Sequence, residues 1–114
     1  MNRYTVISAD GHAGASVPAY REYLESRWYD EFDAWAQSFQ NPFSDLAGPN
    51  AYRNWDSAAR LAETEADGIV GEVLFPNTIP PFFPSGALIT PAPNAAEYER
   101  RWAGLQAHNR WLAD

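Results

Sequence analysis

The chain contains no cysteine and no lysine. Without cysteine there is no disulfide framework and no thiolate metal site, an arrangement compatible with a reducing cytoplasm, which is the expected localisation. Without lysine the whole basic complement is 8 arginines, set against 15 acidic side chains for a net charge of -7. A surface of that sign repels phosphate, which excludes nucleic acid and anionic membranes as expected partners. No apolar run approaches the roughly 18 residues that a membrane span needs. The N-terminus also lacks the basic region and apolar core of a signal peptide. A Gly-rich phosphate loop, a Gly-x-Ser-x-Gly elbow, a Cys/His zinc cluster and an internal repeat are all missing.

What is present is globular in character, with 46% hydrophobic and 15% aromatic residues. Five tryptophans, six tyrosines and six phenylalanines in 114 residues call for a large surface to bury against.

The stretch Tyr4 to His12 reads as a strand ending in two potential ligands separated by Gly11. Alternation puts Val6, Ser8, Asp10 and His12 on one face, with Thr5, Ile7 and Ala9 on the other. Two residues rise about 7 Å, within reach of a shared ion. Gly11 adds no bulk between them. Asp-Gly is equally a common turn pair.

Beyond a small-residue loop at 13–17, Tyr20, Leu24, Trp28, Phe32 and Trp35 or Phe39 recur at helical spacing, with a break near Ser26, and read as a packed core stripe. Residues 41–52 are turn-rich. Asp56 is placed to cap a helix over 57–67, to pair with Arg60, and to be followed by a left-handed Gly68. Ala58, Leu61, Ala62 and Ala66 offer a small face for close approach to a sheet. A second strand over 69–75 sets Ile69, Val73 and Phe75 against Val70, Glu72 and Leu74. Glu72 is the odd residue there, either a site group or exposed. Six of the nine prolines fall between Pro76 and Pro93. Phe82 and Phe83, within that loop, either line an apolar pocket or plug onto the preceding helices. The last helix opens at Asn94, with Glu97 at capping-box spacing and Arg101 one turn on. Tyr98, Trp102, Leu105 and Leu112 mark its expected buried stripe. His108, mid-helix, reads as a surface or hydrogen-bonded core histidine.

The segments VISADGHAG, NWDSAARLAETEADGIVGEVLFPN and HNRWLAD together resemble the start of metal-dependent amidohydrolases, specifically amidohydrolase family 2, the branch that includes enzymes related to aminocarboxymuconate semialdehyde decarboxylase. The resemblance implies an α/β fold, a (β/α)8 TIM barrel whose first strand carries a short metal-binding signature, most familiarly His-x-His. Asp10 stands at its first position here. It further implies that Asp10 and His12 hold a divalent metal, zinc first and manganese as the alternative. That ion would serve a hydrolase or decarboxylase acting on a small carboxylate, amide or ester.

A whole barrel typically takes about 250 residues. The chain therefore reads as the first two βα units of one domain, with a helical insertion at about 17–53 and the catalytic acid or base in a missing C-terminal part. Asn77, Phe82 and Phe83 would belong to the substrate pocket. The full-length enzyme would be a homo-oligomer, and the isolated portion inactive. The competing expectation is a self-contained acidic α+β interaction module with no catalysis, its Asp-Gly-His a turn.

Overall fold

The computed structural model describes residues 3–41, 47–76, 79–84 and 90–114. Strands β1 (Val6–Ala13) and β2 (Ile69–Pro76) pair in parallel as a two-stranded sheet. A parallel pair needs a long crossover. Here the crossover carries 3₁₀ helices at Val17–Tyr23, Ser26–Trp28 and Ala51–Asn54, with α1 (Tyr29–Ser38) and α2 (Ser57–Ala66). Helix α3 (Ala95–Ala113) follows β2. The architecture is thus mixed α/β with a parallel sheet.

Local chemistry sets the helix boundaries. The carboxylate of Asp56 accepts from Ala59 N at 2.9 Å and starts α2, and Gly68 at φ 75° ends the turn after it. Asn94 and Glu97 form a reciprocal capping box at the start of α3, and Glu97 also reaches Arg101 at 3.2 Å. The expected pairing of Asp56 with Arg60 is replaced. Arg60 reaches across to Glu72 at 3.1 Å and to the carbonyl of Arg53. Asp56 is already engaged as a cap, and the partly buried Glu72 is the carboxylate with the greater need of a partner. The expected small face of α2 is also turned outward. Ala58, Leu61, Ala62 and Ala66 are exposed, while Ala59, Arg60 and Thr64 form the half-buried side.

The core is aromatic and lies in the helical layer. Tyr20, Leu24, Trp28 and Phe32 are buried in the expected order, with the chain interrupted between the 3₁₀ helices at Leu24 and Glu25. Ala15, Phe82, Ala103 and Ala107 complete the cluster.

On α3 the expected stripe is not the buried one. Tyr98, Trp102 and Leu112 are 60%, 53% and 46% exposed, whereas Arg101, Ala103, Gly104, Ala107 and His108 face inward. The cause is steric. At Gly104 the helix passes so near the carbonyl of Pro81 that any Cβ would collide with it, so only small neighbours permit the approach.

The sheet is barely covered by comparison. Val6, Ile7, Val70, Val73 and Phe75 are all exposed large hydrophobics.

Candidate metal site on the first strand

Asp10 and His12 lie in the C-terminal half of β1. Ser8 pairs with Glu72 and Gly11 with Leu74, so β1 spends three residues where β2 spends two. The extra residue is a bulge, a device that re-aims nearby side chains. It interrupts the strict alternation expected from Val6 onward, and Asp10 sits within it. Asp10 and His12 nonetheless come together. His12 Nε2 and Asp10 Oδ1 are 3.2 Å apart.

Gly11 separates the two faces. A Cβ there would stand 3.0 Å from Glu72 Oε1, 3.0 Å from Leu74 Cδ2 and 3.1 Å from Val73 O. A side chain there would push these neighbours back by a few tenths of an ångström. Glu72 is held on that same side by Arg60 of α2. Asp10 and His12 consequently occupy the face opposite α2, beside Phe75, whose ring centroid is 5.9 Å from that of His12. Glu72 belongs to the helix-covered side and pairs structurally with Arg60. It does not join the two candidate ligands.

The pair is open to solvent, with side-chain exposures of 48% for His12 and 89% for Asp10. One imidazole and one carboxylate are donors that suit zinc or manganese. Two donors on one tetrahedral ion, each about 2.1 Å from it, stand about 3.4 Å apart, close to the separation found here. By donor type and spacing the pair fits two positions of a divalent site. Among the described residues no group of three His, Cys, Asp or Glu side chains comes together to complete one.

No family model, curated protein or solved structure matches the chain.

The remaining candidates are dispersed. Asn77 lies outside the described residues. Phe82 is built into the helical core, its ring centroid 5.8 Å from Trp28, 6.1 Å from Trp35 and 6.4 Å from Phe32. Of the two roles open to it, it takes the core one. The backbone carbonyl of Phe83 accepts from Trp35 Nε1 at 3.0 Å. Its ring borders a cavity of about 200 Å³ with Pro91, Tyr98, Trp102 and Leu105. A second cavity of about 970 Å³ lies between α2, β2 and the end of α3, lined by Trp55, Arg60, Leu61, Glu72 and Leu112 among others. Neither lining includes Asp10 or His12.

His108 is a satisfied core histidine. Its Nδ1 lies 2.9 Å from the hydroxyl of Tyr20, and burial lowers its pKa, favouring the neutral ring. Burial likewise pushes the Tyr20 phenol up to about 12, opposed by the amide of Ala15 that donates to it. Residues 20 and 108 carry no sequence signal of their meeting, because only the tertiary fold brings them together.

Proposed function

We propose that the chain is the N-terminal portion of a metal-dependent hydrolase or decarboxylase of the amidohydrolase type, contributing the first two βα units of a barrel. The observation that carries this reading is the placement of Asp10 and His12. They adjoin each other at the C-terminal end of a parallel strand, on the face away from the helix, where barrel enzymes assemble their chemistry. The exposed apolar face of the sheet agrees with it, since parallel sheets are ordinarily covered on both sides.

In this reading Asp10 and His12 hold a divalent ion, zinc or manganese, with the remaining ligands supplied by later strands. When bound, the ion polarises a substrate carbonyl or carboxyl oxygen or lowers the pKa of a water toward about 7. In its absence the Nε2–H of His12 donates to Asp10. Holding a cation between these atoms requires Nε2 to be free of hydrogen, which the neutral ring achieves by carrying its hydrogen on Nδ1 instead. The Asp10 carboxylate supplies negative charge against the cation, and Gly11 lets the two side chains converge without pressing on β2. The substrate class is a small carboxylate, amide or ester.

The competing reading is a non-catalytic acidic interaction module. One observation favours it: Tyr20, Trp28, Phe32 and Phe82 form an aromatic core that draws on no strand among the described residues.

The two separate by experiment. The protein encoded by the complete reading frame is expressed, its metal measured by elemental analysis, and hydrolysis and decarboxylation of small carboxylates assayed. Asp10→Asn is expected to lower metal content and activity together, and His12→Ala to lower both further. Full occupancy and full turnover in His12→Ala would refute the site.

A further inference from the structure

We infer that Tyr20 and His108 are positioning residues for the Asp10 and His12 pair, an inference that rests on the metal-site reading above. The end of β1 is tied to the helical body at the residues just after His12. Gly14 N–H donates to the carbonyl of Asn54 at 3.0 Å, and Asn54, itself buried, donates through Nδ2 to Ala51 O at 2.8 Å. One residue further, Ala15 N–H donates to the Tyr20 hydroxyl at 3.2 Å. That hydroxyl also bonds His108 Nδ1 at 2.9 Å, as donor or as acceptor according to the His108 tautomer.

Each member of the relay is deeply buried, with Ala15 and Tyr20 at 0% exposure and His108 at 5%. Such bonds are strong in a dry setting, and a lost partner there leaves an unsatisfied group. The ring of His108 is steadied in turn by Trp111 at 5.7 Å between centroids. Elsewhere β1 has little to fix it. Among the described residues it pairs only with β2, and Val6 and Ile7 are exposed. The placement of His12 relative to the helices therefore depends in part on this link, beside the Gly14–Asn54 bond and the Arg60–Glu72 pair that ties β2 to α2. His108 belongs to α3, so the helix after the second strand helps to set the end of the first.

The test uses the isotopically labelled 114-residue chain. Amide exchange is followed at Gly14 and Ala15, and the His12 ring resonances are followed alone and during titration with zinc(II). In Tyr20→Phe, which keeps the ring and removes the hydroxyl, protection of Ala15 should fall about tenfold. The His12 resonances should shift, and the zinc(II) midpoint read at His12 should weaken roughly threefold to tenfold. His108→Leu should do the same. His108→Asn, which keeps an acceptor near the place of Nδ1, should restore most of each effect, and this pair of variants decides the matter if Tyr20→Phe does not fold.

Tyr23→Phe is the control. It removes a hydroxyl that donates to Asp114 at 2.7 Å and should leave Ala15 and His12 as in the parent. The inference is overturned if Tyr20→Phe leaves Ala15 exchange and the His12 resonances unchanged, or if Tyr23→Phe alters them equally. If zinc(II) fails to move His12 in the parent chain, the same titration is made on the protein of the complete reading frame, where the remaining ligands are present, and failure there overturns the metal reading instead. The link itself is then judged by Ala15 exchange and the metal-free His12 resonances.

Discussion

Gly104 passes the carbonyl of Pro81 so closely that there is no room for a methyl group between them. Helix propensity alone would make Gly104→Ala a gain of about 1 kcal/mol. The obstruction is backbone, however, and Pro81 is fully buried, so it cannot swing aside as a flexible side chain would. Overpacking of this kind costs about 1–3 kcal/mol. A net loss is expected in urea unfolding, with the midpoint lowered. Gly71→Ala, whose added Cβ meets nothing within 4 Å, should show no such loss. Equal stability of the Gly104 variant and the parent would mean that α3 stands off from Pro81.

The bond between Arg60 and Glu72 predicts an asymmetry. Their side chains are only 21% and 20% exposed, so the pair is largely removed from water. Glu72→Gln keeps an oxygen for Arg60 and should cost about 1 kcal/mol. Arg60→Met strands a largely buried carboxylate and should cost about 2–3 kcal/mol, discounted from the fully buried case for residual exposure. The double variant Arg60→Met with Glu72→Leu should recover most of that loss, because both charges leave together. Denaturant unfolding of the parent, the singles Arg60→Met and Glu72→Leu, and their double measures the coupling. Additive losses would show that the two side chains act independently.

Stability should also depend on pH through the buried Tyr20 and His108. An unfolded His108 takes up its proton near the ordinary value of 6.5, and the native one only at lower pH. Between those values the unfolded state holds more protons, so this contribution is complete above about pH 6.5 and is lost as the pH falls toward the native value. Tyr20 acts at the other end. Its pKa rises from 10.0 to about 12, so its contribution is complete below pH 10 and is lost as the pH rises through 12. That shift corresponds to about 2–3 kcal/mol. Urea midpoints across pH should fall on both limbs, with His108→Asn flattening the acid limb and Tyr20→Phe the alkaline one. An unchanged acid limb in His108→Asn would assign that loss to other groups.

Much of this was legible wherever the deciding chemistry is local. Asp56, Gly68 and the Asn94 and Glu97 box act within one helical turn, and each boundary follows from them. The aromatic series from Tyr20 to Phe32 was legible because its spacing outlasts a change from 3₁₀ to α-helix. The meeting of Asp10 and His12 followed from one intervening glycine, although the bulge beside them did not. The inward face of α3 was not legible, because large residues suggest burial while close approach to Pro81 demands small ones. Arg60 had two carboxylates within reach, and only the fold brings Glu72 to it. The partnership of Tyr20 with His108, 88 positions apart, has no local trace at all.

The uncovered sheet leads to the final prediction. Val70 is 71% exposed, Val73 50% and Phe75 47%, and among the described residues the two-stranded sheet has an unpaired edge on each side. Such surface is ordinarily covered, and open strand edges invite pairing with another chain. The 114-residue chain in isolation should therefore associate as its concentration rises, measured by sedimentation velocity. Val70→Lys and Val73→Lys place charge on the sheet without touching the aromatic core, so they should shift the distribution toward monomer while leaving the tryptophan environment intact. Since the core is closed by Trp28, Phe32 and Phe82 in the helical layer, dissociation should not unfold it. A concentration-independent monomer with a sharp two-state melt would show that the sheet face is tolerated by water, and the argument for a missing covering layer would lose its support.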